Sequence, residues 1–325
     1  MRFSNWRRIA FLALAVATAV SLCACAAAKL TWEVDGAGKL TVSGKGRMDD
    51  FDQAPCGPWG TGVKSAVIGE GVESVGNFAF EGCAGLTEVT LPEGLKTIGY
   101  KAFEGCAALT NVAIPASVTT IEGKAFRLCE SLESIVIPDG VTELKNSTFQ
   151  GCEKLAEVTI PESVTHIDWG VFHGCVKLRE VALPKTLTSM DRYVFAECIN
   201  LQKIEIPEGV TSIGEMMFHN CMGLQSVSLP QSMVSIGESA FKGCYNLPEI
   251  ALPEHLTEIS NEMFAYCIAL EQISIPAGVT RIGDGAFERC DALKTVRFAG
   301  TPEEWAAIDV GENNDALQAA EIVFG

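Results

Sequence analysis

The stretch Leu91-Pro-Glu-Gly-Leu-Lys-Thr-Ile-Gly-Tyr-Lys-Ala-Phe-Glu-Gly-Cys-Ala-Ala-Leu-Thr-Asn-Val-Ala113 is one unit of a 23-residue period. Ten cysteines keep this step from Cys83 to Cys290, ten phenylalanines keep it from Phe80 to Phe287, and nine prolines keep it from Pro92 to Pro276. A fixed period of this length is typical of a solenoid, in which similar coils stack and each contacts only its neighbours. Ten units fit between Gly69 and Phe298.

Each unit contains one short stretch that favours a strand and one that favours a helical turn. Val89-Thr90-Leu91 alternates apolar and polar residues, and the proline that follows cannot continue a β-ladder. Gly99–Cys106 carries apolar residues at helical spacing, which predicts a short helix or 3₁₀ turn. The predicted fold is therefore a repeat solenoid of ten 23-residue coils, with short parallel strands on one face, short helices or 3₁₀ turns on the other, and a cap at each end. The columns expected to face inward are those of Val89, Leu91, Ile98, Ala102, Phe103, Cys106 and Leu109.

The amino terminus has the pattern of an export signal. Residues 1–24 combine an arginine-containing start with the apolar run Ile9–Leu22, which is too short for a membrane span. The following residues resemble a bacterial lipoprotein box, which implies cleavage before Cys25 and lipidation of its thiol. Ordinary cleavage within Ala26–Ala28 is the alternative. We therefore expect an exported protein that is either lipid-anchored at the cell surface or secreted, with contact to a membrane only through the lipid.

The negative net charge of the chain argues against nucleic acid as a partner. The 325-residue chain has a formal net charge of −17, and removal of the leader would make it more negative. Electrostatic repulsion from phosphate argues against nucleic-acid binding.

The cysteine column allows two interpretations. A metal or redox site would need close thiol pairs, and a spacing of 23 residues lacks the CxxC pairing of zinc sites. The alternative is a ladder of small core residues. Because side chains in one column should point the same way, we expect buried free thiols rather than disulfides.

The pattern Leu-x-x-Val-x-Leu-Pro-x-Gly-Val-x-x-Ile-Gly-x-x-Ala-Phe-x-Gly-Cys resembles the BspA-like leucine-rich repeat, a class of bacterial surface proteins also represented in Treponema. The resemblance covers residues 69–298 and extends to the ends. Residues 25–68 look like the β-hairpin cap that precedes such arrays, and residues 299–325 look like a closing cap, in which Thr301, Pro302 and Glu304 have the pattern of a capping box.

The resemblance implies a surface-exposed or secreted binding protein, often an adhesin toward host matrix proteins or other cells. It supplies no catalytic residues, and the chain has no GxSxG, HExxH or phosphate-binding motif. The histidines fall at polar, outward positions, and those that share a column are two coils apart. We therefore predict no enzymatic activity, no cofactor and no metal site.

Two groups of residues depart from the repeat and are candidate partner-binding positions. The first is a stripe directly after the cysteine column, which could equally be half-buried: Val176, Ile199, Met222, Tyr245 and Ile268. The second is a cluster where most other coils carry polar or small residues, and stray surface aromatics are the alternative explanation: Trp169, His173, Tyr193 and Met216.

The exposed strand column, from Thr90 to Arg297, is mostly small and nearly neutral, and a neighbouring column contains several glutamates. Such a face suits an extended protein or a glycan, although the acids could also serve solubility alone. The sequence thus predicts non-covalent recognition of a host or neighbouring-cell protein or a glycan. A structural component of the bacterial envelope is the alternative.

Overall fold

The computed structural model describes residues 30–51 and 55–325. The predicted signal segment 1–24 and the predicted lipidation site Cys25 lie outside the described residues. In the described part, short strands recur along the chain and form two parallel ladders, each interrupted in places, that run along the length of a solenoid.

The first ladder contains the strand of each unit that precedes the proline. Its strands are Lys39–Ser43, Ser65–Ile68, Glu88–Thr90, Ser134–Val136, Glu157–Thr159, Lys203–Glu205, Ser226–Ser228, Glu249–Ala251, Gln272–Ile275, Thr295–Phe298 and Glu321–Phe324. In the coils of Asn111 and Glu180, single bridges replace the strand.

The second ladder follows the proline turn of each coil. Its strands are Gly46–Arg47, Val72–Val75, Thr97–Ile98, Thr120–Ile121, Glu143–Leu144, His166–Ile167, Ser189–Met190, Ser212–Ile213, Ser235–Ile236, Glu258–Ile259, Arg281–Ile282 and Asp309–Val310. Most of its pairs join residues 23 positions apart, as in Thr97 with Thr120. The second ladder is not predictable from the sequence pattern, because a two-residue strand is too short to show a period of its own.

The solenoid extends beyond the ten regular units to about twelve coils. Lys39 pairs in parallel with Ser65, 26 positions later, and Thr295 pairs with Glu321 at the same interval. The prediction of ten coils is therefore too low. The two end coils depart from the 23-residue step, so a search for a strict period does not detect them.

The third side of each coil consists of consecutive turns with hydrogen bonds three residues apart, so the short helix or 3₁₀ turn expected over Gly99–Cys106 takes the form of single turns rather than of a helix. Within the coil, Ala102 N donates to Gly99 O at 3.1 Å and Cys106 N donates to Phe103 O at 3.1 Å. Between them, Phe103 N donates to Ala125 O of the next coil at 2.8 Å. A helix would use these N–H groups within one coil, whereas the turns share them between coils.

Two positions on this third side have left-handed backbone in every regular coil. One column runs Phe78, Lys101, Lys124, Ser147, Gly170, Tyr193, Met216, Ser239, Glu262 and Gly285, and the other runs Gly82, Gly105, Leu128, Gly151, Gly174, Glu197, Asn220, Gly243, Tyr266 and Arg289. Residues with side chains adopt this conformation at a cost. The hydrogen bonds between coils compensate for that cost.

The core is built around a stack of phenylalanine rings. From Phe80 to Phe287 each ring stacks on the next, with centroids 5.1–5.8 Å apart. All ten rings are fully buried. The columns that were expected to face inward are buried in most coils, and the column of Leu95 and Val118 joins them. Five of their members are only partly buried: Ile114, Val158, Leu183, Val227 and Leu229.

The cysteine column forms a ladder of weak hydrogen bonds beside these rings. Cys106 Sγ donates to Phe80 O at 3.2 Å, and the same contact recurs in every coil up to Cys290, at 3.0–3.3 Å. Nine of these thiols, from Cys106 to Cys290, are free and buried. The prediction of buried free thiols is confirmed for these nine.

Cys83 is the exception, and for this residue the prediction of a free thiol is wrong. It forms a disulfide with Cys56, with the two Cα atoms 4.8 Å apart. Cys56 belongs to the irregular first coil and precedes Cys83 by 27 residues. Because it lies outside the regular column, its side chain can face Cys83 instead of running parallel to it.

The ends of the solenoid replace the contacts of a missing coil. At the first end, Thr31–Val34 pairs antiparallel with Lys39–Ser43, and Trp59, in the 3₁₀ turn Gly57–Trp59, covers Phe80 with the ring centroids 5.3 Å apart. The opposite end carries the helices Pro302–Ala306 and Asp315–Ala319.

Side chains complete the hydrogen bonding at the second end. Thr301 and Glu304 make reciprocal capping bonds at the start of the first of these helices. Buried Asn314 accepts from Phe287 N at 3.0 Å, the N–H that in other coils donates to a backbone carbonyl, and it donates to Gly283 O at 3.0 Å. An amide side chain thus takes over the role of the absent next coil.

Removing one ring from the stack should be costly. We expect Phe172→Ala to lower the free energy of unfolding by roughly 3–5 kcal/mol, because a fully buried ring is lost and its two stacked neighbours face a cavity. Urea denaturation followed by circular dichroism measures the loss. Val136→Ala, at a position that is 62% exposed, is the control and should change stability by less than about 0.5 kcal/mol. Equal effects of the two substitutions would contradict the stack as the main stabilising element.

The buried thiols should make the protein sensitive to alkali. Burial raises the pKa of Cys152 and of Cys198 to about 12. In the unfolded chain a thiol ionises near pH 8.5, so stability is fully present below that pH and falls as pH rises toward 12. Urea midpoints measured at increasing pH should therefore decrease above about pH 8.5, and Ellman's reagent should react with these thiols only after unfolding. Rapid labelling of the native protein would show that the ladder is open to solvent.

Candidate functional site

The outward column of the first ladder forms a surface with short side chains. It is exposed in nearly every coil, and it runs Thr90, Ala113, Val136, Thr159, Ala182, Glu205, Ser228, Ala251, Ser274 and Arg297. Glutamates lie two positions earlier in several coils, including Glu157, Glu180 and Glu249, and they are exposed as well. A ligand could therefore approach the backbone closely between acidic side chains.

A groove of about 540 Å³ lies on this face where the ladder is interrupted. The coil of Glu180 contributes only a single bridge, to Lys203 of the next coil. The strand of the coil before it, Glu157–Thr159, pairs in parallel with Ser134–Val136 of its own preceding coil and not with the coil of Glu180. The groove is lined by Val181 and Ala182 together with Glu157, Glu180, Lys203 and Glu205. Acidic groups outnumber basic ones in the groove, because three of the lining residues are glutamates and one is a lysine. Lys203 Nζ lies 3.0 Å from Glu205 Oε1, so the lysine is paired with one of these glutamates. The groove is not evident in the sequence, because an interrupted ladder leaves the repeat pattern unchanged.

The predicted aromatic cluster lies where the second ladder meets the turns. Trp169 is 38% exposed, whereas Tyr193, Met216 and His173 are half-buried. The Arg192 guanidinium lies 5.8 Å from the centre of the Tyr193 ring. The cluster therefore presents mixed aromatic and charged groups rather than an apolar patch.

His173 belongs to a polar chain along the third side that the sequence analysis did not anticipate. Arg127 pairs with Glu104 and donates from Nε to Gln150 Oε1 at 3.0 Å. Gln150 Nε2 lies 2.9 Å from His173 Nδ1, and His173 Nε2 lies 3.7 Å from Glu197 Oε2. Contacts between coils occupy both ring nitrogens of His173.

The predicted apolar stripe has uneven exposure. Met222 is 37% exposed and Ile268 is 47% exposed, while Val176, Ile199 and Tyr245 are half-buried. The stripe lies where the turns lead back to the first ladder, and the aromatic cluster lies at the opposite border of the turns. The two groups are thus separate surfaces, and the groove on the first ladder is a third.

Comparison with known proteins identifies the family. The family model for the BspA type leucine rich repeat region, present in six copies, matches residues 59–179 and 165–294, which together are well over half of the chain. The chain therefore belongs to the BspA-type leucine-rich repeat family. No curated protein matches it significantly.

Solved structures include related solenoids. A leucine-rich repeat protein from Eubacterium ventriosum shares 19% identity and a TM-score of 0.59, with 90% of this chain and 93% of that one covered, which supports the fold. A leucine rich cell surface protein from Faecalibacterium prausnitzii shares 26% identity at a TM-score of 0.47, over 86% and 96% of the two chains. A leucine-rich repeat protein from Bacteroides ovatus shares 26% identity at 0.48, over 91% and 98%.

No helix among residues 30–51 and 55–325 is long and apolar enough to cross a membrane.

Tyr193 offers a way to alter the aromatic cluster without unfolding the coil. Its φ of 61° suits glycine, so Tyr193→Gly should change the free energy of unfolding by less than about 1 kcal/mol, as relief of strain offsets lost contacts. The neighbouring Val194→Ala, at a fully buried position, should cost about 1.5 kcal/mol or more. Thermal and urea unfolding compare the two variants. An equally large loss for Tyr193→Gly would show that the ring stabilises the coil rather than serving a partner.

Proposed function

We propose that this protein is an exported surface binding protein that recognises an extended protein or glycan without covalent chemistry, and that it acts as an adhesin toward host matrix or neighbouring cells. The observation that carries the proposal is the groove at the coil of Glu180 on the face of short side chains. Solenoids of this kind use continuous surfaces for recognition. The family membership supports a surface location.

The chemistry of the groove indicates the kind of partner. Small residues such as Ala182 in its lining permit close approach, and Glu157 and Glu180 in the same lining favour groups that are basic or that donate hydrogen bonds. An extended segment with such groups fits better than a strongly acidic one. The aromatic cluster and the stripe provide additional contacts for a large partner.

Export and anchoring form the second part of the proposal. We infer that residues 1–24 direct export and that Cys25 carries a lipid. The Cys56–Cys83 disulfide supports an oxidising compartment for the folded protein.

The test is adhesion of bacteria that display the full-length chain to arrays of matrix proteins and glycans. We expect a saturable signal that Ala182→Arg reduces at least tenfold, because the new side chain fills the groove. Thr257→Arg adds the same charge at an exposed position beside the second ladder, outside the groove, the stripe and the aromatic cluster, and should leave binding unchanged. Trp169→Ala and Tyr245→Ser test the aromatic cluster and the stripe in the same assay.

Two results would overturn the proposal. The first is an absence of binding by folded, displayed protein, which would favour a structural role within the envelope. The second is equal binding by the Ala182→Arg and Thr257→Arg variants, which would exclude the groove as the site.

A further inference from the structure

Three side chains of types that can bind a metal ion lie close together in two adjacent middle coils, where the strands of the second ladder end. No sequence motif connects them. One ring nitrogen of His166 and one carboxylate oxygen each from Asp168 and Asp191 lie within 4.8 Å of one another. His166 and Asp168 are two positions apart along an extended segment, so they share a face. Asp191 is the equivalent of Asp168 in the next coil. Stacking of coils therefore creates the group from residues that are up to 25 positions apart in sequence.

The solenoid does not need these carboxylates for packing. Most other coils have glycine at this column, and a Cβ at Gly99 or Gly214 would approach backbone atoms to 2.7 or 2.6 Å. In the two preceding coils the same column holds Glu122 and Lys145, which form an ion pair at 2.9 Å. Asp168 and Asp191 instead place two negative charges side by side, and neither has a lysine or arginine within 4.0 Å among the described residues. A bound cation would compensate for this repulsion.

The ligands are also held in place by neighbouring groups. His166 Nδ1 lies 2.7 Å from Ser189 Oγ, and this contact orients the ring. Asp168 accepts hydrogen bonds from Asn146 N at 3.1 Å and from Trp169 N at 2.7 Å. Asp191 is exposed, so an ion can reach the group from solvent.

We propose that His166, Asp168 and Asp191 bind a divalent first-row transition metal ion, with Zn²⁺ as the expected occupant. Zinc accepts imidazole nitrogen and carboxylate oxygen at about 2.0–2.2 Å. The three ligand atoms already lie within 4.8 Å of one another and would move closer together around a bound ion. Calcium and magnesium prefer sites made of oxygen alone, so the imidazole favours zinc over both. Three protein ligands leave one position of a tetrahedral ion open for water or for a group from another molecule. This inference goes beyond the proposed adhesion and does not depend on it.

The test is equilibrium dialysis of the EDTA-treated full-length protein against Zn²⁺. We expect one saturable site per chain, weakened at least tenfold by His166→Gln and by Asp191→Asn. Ser189→Ala should weaken it by about tenfold, because the ring loses its orienting bond. His255→Gln, at an exposed position in a distant coil, is the matched control and should bind like the unmodified protein.

Spectroscopy with Co²⁺ separates this site from the many thiols of the chain. The cobalt protein should show visible d–d absorption without an intense near-ultraviolet thiolate-to-metal band, since the proposed ligands are nitrogen and oxygen. Unfolding midpoints in EDTA establish that each variant is folded. An absence of saturable zinc binding, unchanged affinity in folded Asp191→Asn, or a thiolate band that persists in His166→Gln would each overturn the proposal.

Discussion

The register between neighbouring coils is the constraint on which the rest of the structure depends. Phe103 stacks on Phe80 with the centroids 5.1 Å apart, and Phe80 O accepts from its own coil's Cys83 N at 3.0 Å and from Cys106 Sγ at 3.2 Å. A slip of one residue would separate the rings and leave the Cys106 thiol buried without an acceptor, although Phe80 O would keep its bond from Cys83 N. Because the contact repeats from coil to coil, the other columns are held in register as well.

Because stacking fixes the backbone of each coil, a single substitution at an exposed position changes the surface but not the fold. The core columns vary little, whereas positions such as those of Trp169, Asp168 and Ala182 lie on coils whose backbone is already fixed by the stack. A change of side chain there alters the surface without altering the path of the chain. The groove, the aromatic cluster and the His166 group all arise in the same few coils, around the interruption of the first ladder.

The terminal coils depend on the same contacts between coils, because each of them lacks a stacked neighbour on one side. At each end of the regular array, a phenylalanine ring and backbone hydrogen-bonding groups lack the partners that a further regular coil would supply. Specific side chains cover the ring and bond to the backbone groups instead. The Trp59 ring covers Phe80, and Asn314 accepts the hydrogen bond of Phe287 N. The Cys56–Cys83 disulfide joins the first coil to the regular array. These contacts limit fraying, which in a linear array begins at the ends.

The sequence by itself determined the solenoid, because a 23-residue period fixes which residues share a column and the apolar columns must face one core. Phe103, Cys106 and Leu109 were recognisable as core residues for that reason. Only the tertiary structure decided the turns of the third side, the pairing of Cys56 with Cys83, the groove at Ala182 and the meeting of His166 with Asp191. These features depend on hydrogen bonds and distances between coils, and a linear pattern specifies which column a residue occupies but not what its side chain contacts in the next coil.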